Sequence, residues 1–223
     1  MKKLAWLFGV ILSPAYAVDF EASIGAAKFH DLGNMTWYQE GLPHQLHLTT
    51  PALELGVTGD IVPGLAWHLG YVYLGRVRTD AVATPDDANY NRETKSCNGE
   101  CIAHSNFTGR GDSHGVKITL EPYVTYRGWR IGIEGGAYIS KNRWAVTVYD
   151  WIPNPSDGIG PRTIRVDDRS GWRASPVVGL SVGKGNWSLV YRHYWNKSPG
   201  PGTTTMYPAI WARTQTLSLR YRF

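Results

Sequence analysis

The sequence contains only two cysteines and, beyond its first 17 residues, no long apolar run. A helix that crosses a membrane needs about 20 mostly apolar residues, so no such helix is predicted after residue 17. The cysteines, Cys97 and Cys101, are four residues apart, and no second pair of ligands follows at a matching spacing. We therefore predict no metal site and no bound cofactor.

The amino terminus has the three parts of a secretory signal peptide. Two lysines give the initial charge, residues 4–12 are apolar, and Ala15-Tyr16-Ala17 forms a cleavage site of the small-x-small type. We predict that residues 1–17 are removed and that residues 18–223 form one domain. Losing the two lysines lowers the formal charge from +5 to +3, and this small excess does not favour a nucleic-acid partner.

Aromatic residues are abundant, with 10 tryptophans and 13 tyrosines, although the mean hydropathy is negative at −0.29. Apolar and polar residues alternate with a period of two, which indicates strands with two unlike faces. In the last strand, for example, Leu217, Leu219 and Tyr221 alternate with Ser218 and Arg220. Eight such strands are predicted, near residues 18–29, 50–60, 65–78, 113–126, 129–149, 168–184, 187–196 and 211–223.

Short and long connections between these strands alternate strictly. The short turns lie near residues 60–64, 127–128 and 184–186. The long polar connections lie near residues 30–49, 79–112, 150–167 and 197–210. This alternation is typical of bacterial outer-membrane barrels. We predict an all-β fold, an eight-stranded antiparallel transmembrane barrel with short periplasmic turns, long extracellular loops and both termini in the periplasm. A secreted β-sandwich with an aromatic core is the alternative.

Aromatic residues also stand at matching positions near the strand ends. One ring is predicted just after the short turns and at the end of the last strand, from Trp67, Trp129, Trp187 and Phe223. A second ring is predicted near the long loops, from Trp144, Trp172, Trp195 and Trp211. Aromatic side chains prefer the headgroup boundary of a membrane, so we expect these residues to form girdles at the two interfaces.

The polar positions of the strands carry mixed charges. The charged residues predicted to face inward are Glu21, Glu54, Lys117, Glu121, Arg130, Glu134, Arg173, Arg192, Arg220 and Arg222. His68 is predicted to face inward with them. Eight strands enclose a space only about wide enough for their own side chains. Because unpaired buried charge is costly, we expect a filled, ion-paired lumen, with a narrow ion path as the alternative. A general diffusion porin is excluded by the strand number.

The loops are the predicted place of contact with partners. The longest, near residues 79–112, contains both cysteines, and export favours a disulfide between Cys97 and Cys101, with two free thiols as the alternative. It ends on Arg110-Gly111-Asp112, the letters of an adhesion tripeptide, although so short a motif often occurs by chance. Five basic residues near the outer rim are expected to face lipopolysaccharide phosphates: Lys141, Arg143, Arg162, Arg165 and Lys197.

The whole predicted mature chain resembles the small eight-stranded outer-membrane barrels of Gram-negative bacteria, the Ail/OmpX-like proteins. The resemblance rests on strand number, loop alternation and the aromatic last strand. It implies a monomer in the outer membrane. It also implies that the final strand, ending Leu-Arg-Tyr-Arg-Phe, is read by the outer-membrane assembly machinery.

A local stretch, residues 191–202, resembles the carboxy-terminal region of the lipid A 3-O-deacylases. In that family a His-x-Ser-Asn motif supplies the general base and the nucleophile, and a later acidic residue orients the histidine. His193 and Asn196 fit the motif, but Trp195 stands at the serine position, and no Asp or Glu follows His193. Ser198 is the nearest hydroxyl, at a position of opposite parity. A lipid A ester hydrolase, or an inactive relative of one, is therefore the alternative function.

The main prediction is a non-enzymatic surface protein. Its extracellular loops are expected to contact a host surface, a phage or lipopolysaccharide. A narrow channel is the third possibility.

Overall fold

The computed structural model describes residues 18–31, 44–83, 90–91, 96–97, 105–151, 162–198 and 211–223. This part of the chain contains twelve strand segments: β1 (Asp19–Asp31), β2 (His44–His47), β3 (Thr49–Val62), β4 (Leu65–Ala83), β5 (Tyr90–Asn91), β6 (Ser96–Cys97), β7 (Ser105–Tyr126), β8 (Trp129–Trp151), β9 (Arg162–Arg169), β10 (Arg173–Lys184), β11 (Trp187–Tyr194) and β12 (Trp211–Arg222). The predicted signal peptide and Cys101 lie outside the described residues, so the cleavage and the disulfide remain predictions.

Eight of these segments close into an antiparallel barrel. The order around the ring is β1, β3, β4, β7, β8, β10, β11 and β12, and β12 pairs again with β1. β2 continues the line of β3 at one end and pairs with β4, and β9 likewise continues β10 and pairs with β8. The predicted fold class, an eight-stranded antiparallel barrel, is confirmed.

The first and last strands form the closing seam. Their register runs from Glu21 opposite Arg222 to His30 opposite Arg213. The backbone N–H of Phe223 donates to the carbonyl of Phe20 at 2.9 Å. The last strand therefore satisfies the edge of β1, as a closed barrel requires.

Tight turns join the strands at one end of the barrel, which we call the short-turn end. The turn between β7 and β8 consists of Arg127 and Gly128, with φ angles of 49° and 78°. Two positive φ angles in a two-residue loop define a type I′ hairpin, whose twist matches that of the flanking strands. The opposite end is called the long-loop end.

Several strands reach further towards the long-loop end than their sequence pattern predicts. β4, β7 and β8 contain 19, 22 and 23 residues. Residues 105–112, predicted as loop, instead belong to β7. Together with β2 and β9, these strands form a sheet that stands beyond the rest of the barrel on one side.

The two faces of each strand differ as the alternation predicts. Outward positions hold the exposed large apolar residues, such as Ile24, Leu55, Ile133, Leu180 and Leu219. Inward positions hold charged residues towards the short-turn end and aromatic residues towards the long-loop end. None of the described residues forms a helix of the length and apolarity needed to cross a membrane.

Candidate functional site

Arg192 is at the centre of an ion-pair network inside the barrel. Its guanidinium donates to Glu134 on β8, with Nη2 3.1 Å from Oε1, and to Glu54 on β3, with Nη1 2.8 Å from Oε2. The Nζ of Lys117, on β7, lies 2.6 Å from Glu54 Oε1. All four side chains are buried. These contacts connect four strands across the lumen.

Arg220, on β12, joins this group to a second one nearer the short-turn end. It donates to Glu134 at 2.7 Å and to Glu121 at 3.1 Å. Ser181 donates its hydroxyl to the other oxygen of Glu121 at 2.8 Å. Gly132 makes room for this carboxylate, since a Cβ there would lie 2.4 Å from Glu121 Oε1.

His68 lies between two carboxylates. Its Nδ1 is 2.9 Å from Glu21 Oε2, and its Nε2 is 2.7 Å from Glu121 Oε2. Nδ1 also lies 3.4 Å from Arg220 Nη1. His68 therefore connects the carboxylates of β1 and β7 across the lumen.

The buried part of this network contains four carboxylates and three permanent cations, besides His68. The members are Glu21, Glu54, His68, Lys117, Glu121, Glu134, Arg192 and Arg220.

A smaller set of charges surrounds the network at the short-turn end. Arg222 donates to Asp19 at 2.6 Å and lies 3.7 Å from Asp60. Arg130 donates to Glu121 at 3.2 Å and lies over the ring of Tyr123, 3.6 Å from its centroid. These arginines keep partial contact with solvent.

Arg173, another member of the predicted inward set, joins neither the network nor the ion pairs around it. It is exposed at the first position of β10. Among the described side chains, no carboxylate lies within ion-pair distance of it. Arg173 occupies a position of β10 that the alternation assigns to the inner face. The position lies too far towards the long-loop end to reach the buried carboxylates.

The network also brings His68, Glu121 and Glu134 close together, with one ligand atom of each within 4.8 Å of the others. Glu121 and Glu134 already accept hydrogen bonds from Arg220 and Arg192. A metal cation at this point would face the guanidinium groups of both arginines. The residues therefore suit an ion-pair network better than a metal centre.

Aromatic side chains fill the lumen above the charges, and two of them correct a prediction. Trp144 and Trp211, expected in the girdle at the long-loop end, are instead 4% and 0% exposed. They pack edge to face, with ring centroids 6.4 Å apart, and Phe29 contacts Trp211 in the same way at 5.1 Å. The Nε1 of Trp211 donates to the carbonyl of Asn196 at 2.7 Å.

The two corrections have different causes. Trp144 has the parity of inward-facing Ser140 and Asn142, so the alternation of β8 already predicted its direction. Trp211 has the parity of outward-facing Leu217. An irregularity in the β1–β12 pairing shifts the register between His30 and Asp31 and turns Trp211 inward. Such a bulge reverses the side-chain direction beyond it.

The other predicted girdle residues lie on the outward wall. Trp129, Trp187 and Phe223 are 47%, 53% and 67% exposed near the short-turn end, and Trp67 is partly buried. Trp172 and Trp195 are 54% and 45% exposed towards the long-loop end.

The sheet that extends beyond the barrel consists of β2, β4, β7, β8 and β9. Its outward side is rich in arginine and lies above the apolar wall, the outward apolar residues of the barrel strands. Register places Arg78 directly opposite Arg110, and Asp112 between Arg76 and Arg143. We call the cations of this side the arginine face: Arg76, Arg78, Arg110, Lys141, Arg143, Arg165 and Arg169. Among the side chains that the structure describes there, three carboxylates accompany these seven cations: Asp80, Asp112 and Asp167.

One ion pair orders the edge of this face. Arg143 Nε donates to Asp167 Oδ1 at 3.0 Å, which joins β8 to β9. Hydrogen bonds from Arg143 lower the pKa of Asp167 from 3.8 to about 2, although partial burial acts in the opposite direction. The same hydrogen bond raises the pKa of Arg143.

The tripeptide Arg110-Gly111-Asp112 lies within β7 and not at a loop tip. Gly111 faces inward beneath two tryptophans, and a Cβ there would lie 2.6 Å from Trp211 and 2.7 Å from Trp144. Packing in the lumen therefore accounts for this glycine.

The candidate catalytic residues are separated by the barrel wall. His193 faces outward, whereas Asn196 and Ser198 are both 2% exposed on the inner side. Pairing of β11 ends at Tyr194, but the alternation of directions continues to Ser198. Inside, Ser198 Oγ accepts a hydrogen bond from the backbone N–H of Trp211 at 3.3 Å.

His193 has neighbours that sequence reasoning missed. Gln215, opposite it on β12, lies between two histidines: its Oε1 is 2.9 Å from His30 Nε2, and its Nε2 is 3.4 Å from His193 Nδ1. We call His30, Gln215 and His193 the outer histidine row. The alternation in the sequence indicates that His30, Gln215 and His193 face outward. It does not show that their strands are neighbours around the barrel.

Comparisons with known proteins yield structural neighbours only. No protein-family model and no curated protein matches the sequence. Ail of Yersinia pestis, solved with the heparin analogue sucrose octasulfate, is 9% identical over 92% of this chain and 97% of its own, with a TM-score of 0.40. Neisserial surface protein A is 13% identical over 93% and 97%, also with a TM-score of 0.40. A Rhodopseudomonas blastica porin variant is 9% identical over 93% and 100%, with a TM-score of 0.22.

The strand pairing of the chain itself establishes the architecture. Each of the eight barrel strands pairs antiparallel with two neighbours, and β1 meets β12 over 11 residue pairs. The protein is a closed eight-stranded antiparallel β-barrel, structurally similar to Ail and Neisserial surface protein A.

Proposed function

We propose that the protein is a non-enzymatic outer-membrane barrel with a closed lumen, and that its arginine face binds the phosphate groups of lipopolysaccharide. The observation that carries the proposal is the position of this face. It begins directly above an apolar wall, and its described side chains turn seven cations outward against three carboxylates.

The apolar wall supports a membrane location. On β8, every outward residue from Trp129 to Ile139 is apolar or glycine, and Lys141 is the next outward residue. On β7 the corresponding stretch runs from Tyr126 to Val116, and His114 follows it. Eleven residues of a tilted strand span roughly 25 Å, the height of the apolar band of an outer-membrane barrel.

A small cavity lies where the charges and the aromatics meet. It is lined by Glu54, Leu74, Arg192 and Tyr194 and leaves about 10 Å³ for the centre of a water molecule. That is room for about one water. The buried ion pairs on one side and the aromatic layer on the other support a lumen closed to solutes.

The arginine face suits phosphate because its cations outnumber its carboxylates. Arg78 and Arg110 are directly opposed in register, and like charges so placed repel. Arg78 pairs with Asp80, with Nε 2.9 Å from Oδ2, whereas the described residues show no ion pair for Arg110. Arginine binds phosphate through two parallel hydrogen bonds. The lowest cation, Lys141, also lies 4.9 Å from the ring centroid of Trp172, at the expected membrane boundary.

A hydrolase centred on His193 is less well supported by this geometry. His193 and Ser198 lie on opposite sides of the wall, so the base cannot reach that hydroxyl. The group facing His193 Nδ1 is the amide of Gln215 and not a carboxylate. An amide donor at Nδ1 leaves the proton on Nε2, where a general base must be unprotonated.

Binding of lipopolysaccharide by the purified, refolded barrel tests the proposal. Removing Arg78 and Arg110 together as glutamines should cost about 2 kcal/mol, or roughly thirtyfold in affinity, at about 1 kcal/mol per basic residue near an anionic surface. Anisotropy of labelled lipopolysaccharide in detergent measures this affinity. Arg127→Gln, an exposed change in a short turn, is the matched control. Equal affinity of all three proteins would contradict the proposal.

A further inference from the structure

His114 is a titratable side chain at the lower edge of the arginine face. It lies on the outward side of β7, two residues from Asp112. Register places it between Tyr73 on β4 and Lys141 on β8. The outward residue below it on the same strand, Val116, belongs to the apolar wall. His114 therefore stands where the wall ends and the cations begin.

A hydrogen bond determines which nitrogen of His114 is available to a ligand. Its Nδ1 lies 2.7 Å from the hydroxyl oxygen of Tyr71, at the surface of the sheet. The imidazole is partly exposed, and its Nε2 is not among the polar atoms that are shielded from solvent. A ligand on the outside of the barrel can therefore reach Nε2, while Tyr71 occupies Nδ1.

The contact with Tyr71 suits both charge states of the imidazole. A tyrosine hydroxyl can donate a hydrogen bond as well as accept one. It donates to Nδ1 when His114 is neutral, and it accepts from the Nδ1 proton when His114 is an imidazolium. Nε2 carries a proton in both states, so protonation adds one positive charge to the face and leaves the ring in place.

The surroundings of His114 link this charge to the binding of an anion. The titratable and charged side chains around it come from three strands: Tyr71, Tyr73 and Arg76 on β4, Lys141 and Arg143 on β8, and Asp112 on its own strand. Three of them are cations and one is a carboxylate. A phosphate between His114 and Lys141 offsets this excess, and a neighbouring anion favours the charged form of a histidine. Binding of phosphate and protonation of His114 should therefore assist each other.

We propose that His114 and Lys141 form a proton-coupled phosphate site at the lower edge of the arginine face, so that lipopolysaccharide binds more tightly when His114 gains a proton. Histidine is the side chain whose charge changes between about pH 8 and pH 5, whereas the arginines and the lysine of the face stay charged throughout this range. The inference rests on the function proposed above and adds a pH dependence to it.

The affinity of the purified, refolded barrel for labelled lipopolysaccharide, measured by anisotropy at about pH 8 and about pH 5.5, tests the coupling. All proteins carry His47→Gln, because His47 is a second histidine beside the face, opposite Arg78. Acidification should strengthen binding by this parent protein about fivefold more than binding by its His114→Gln variant, the effect of one basic charge near an anionic surface. The comparison cancels the titration of the phosphates themselves.

Two further variants of the parent protein separate charge from other effects. His114→Arg carries a permanent charge, so it should bind about fivefold more tightly than the parent at pH 8 and about equally at pH 5.5. His30→Gln changes an outward histidine on β1, three strands away from β7 around the ring, and should leave the pH dependence of the parent as it is. Heat-dependent gel mobility shows that each variant is folded.

The outcomes distinguish the proton-coupled site from the arginine face as a whole. Equal pH dependence in the parent and in His114→Gln, with binding that still requires Arg78 and Arg110, would overturn the coupling and leave the proposed function intact. No binding of lipopolysaccharide by the parent at either pH would overturn both.

Calorimetry gives an independent measurement, because coupled binding equilibria are reciprocal. Titrations near neutral pH in two buffers of different ionisation enthalpy count the protons taken up on binding. The parent should take up more protons than His114→Gln, and equal uptake by the two proteins would contradict the site.

Discussion

Arg192 and Glu54 join opposite parts of the barrel, with the guanidinium Nη1 of one 2.8 Å from the carboxylate Oε2 of the other. Arg192 is on β11 and Glu54 on β3, which are three strands apart around the ring. Both side chains are at most 4% exposed, so bulk solvent competes little for either group.

Breaking this connection should destabilise the barrel strongly. Arg192→Leu leaves the carboxylates of Glu54 and Glu134 without their main cation, and removing one partner of a buried pair costs about 3–5 kcal/mol. Urea unfolding from detergent micelles measures the loss. Arg222→Gln is the control, because its partly exposed pair with Asp19 should contribute about 1 kcal/mol or less. Similar losses in the two variants would contradict the buried network.

The two contacts of His68 make a second prediction. His68→Gln removes the imidazole that joins Glu21 and Glu121, so the free energy of unfolding should fall. Glu21→Gln should also lower it, and the two changes together should cost less than the sum of the single losses, because they remove the same contact. A double-mutant cycle over these changes measures the coupling. Additive losses would show that His68 and Glu21 do not interact.

The proposed closed lumen predicts electrical silence. The purified barrel in a planar lipid bilayer should show no reproducible open level, because the buried ion pairs and the aromatic layer leave no continuous aqueous path. A porin preparation in the same bilayer is the positive control. A steady single-channel step from the barrel alone would contradict the closed lumen.

Trp211 and Trp195, both near the long-loop end, should respond very differently to truncation. Trp211→Ala removes a fully buried indole that contacts Phe29 and Trp144, and such a change costs about 3–5 kcal/mol. Trp195→Ala removes a ring that is 45% exposed and should cost clearly less. Thermal unfolding monitored by gel mobility compares the variants. A larger loss of stability for Trp195→Ala than for Trp211→Ala would contradict the packing of Trp211 inside the barrel.

Acid should loosen the edge of the arginine face. The pKa of Asp167 is lowered from 3.8 to about 2 by Arg143, so its pair stabilises the β8–β9 contact above pH 3.8. This contribution is lost as the pH falls from 3.8 to about 2. Hydrogen exchange in residues 162–169 should therefore gain an extra acid-dependent component in this window. Asp167→Asn should abolish that component, and persistence of the component in this variant would contradict the assignment.

The sequence by itself determined the strand number and the direction of most side chains, because alternation with a period of two places one face of each strand on the outside of the barrel and the other inside. It placed Glu54, Lys117, Glu121, Glu134 and Arg192 inside the barrel without naming their partners. It also indicated that β12 closes the ring, because an eight-stranded barrel leaves no free edge.

Only the tertiary structure decided contacts between residues that are far apart in the chain. The register shift at Asp31 turned Trp211 inward, against its parity. Closure of β1 on β12 brought His30 to Gln215, which are separated by 185 residues. The wall separated His193 from Ser198, because direction alternates beyond the last paired residue. Such contacts depend on strand register and ring closure, and local patterns carry neither.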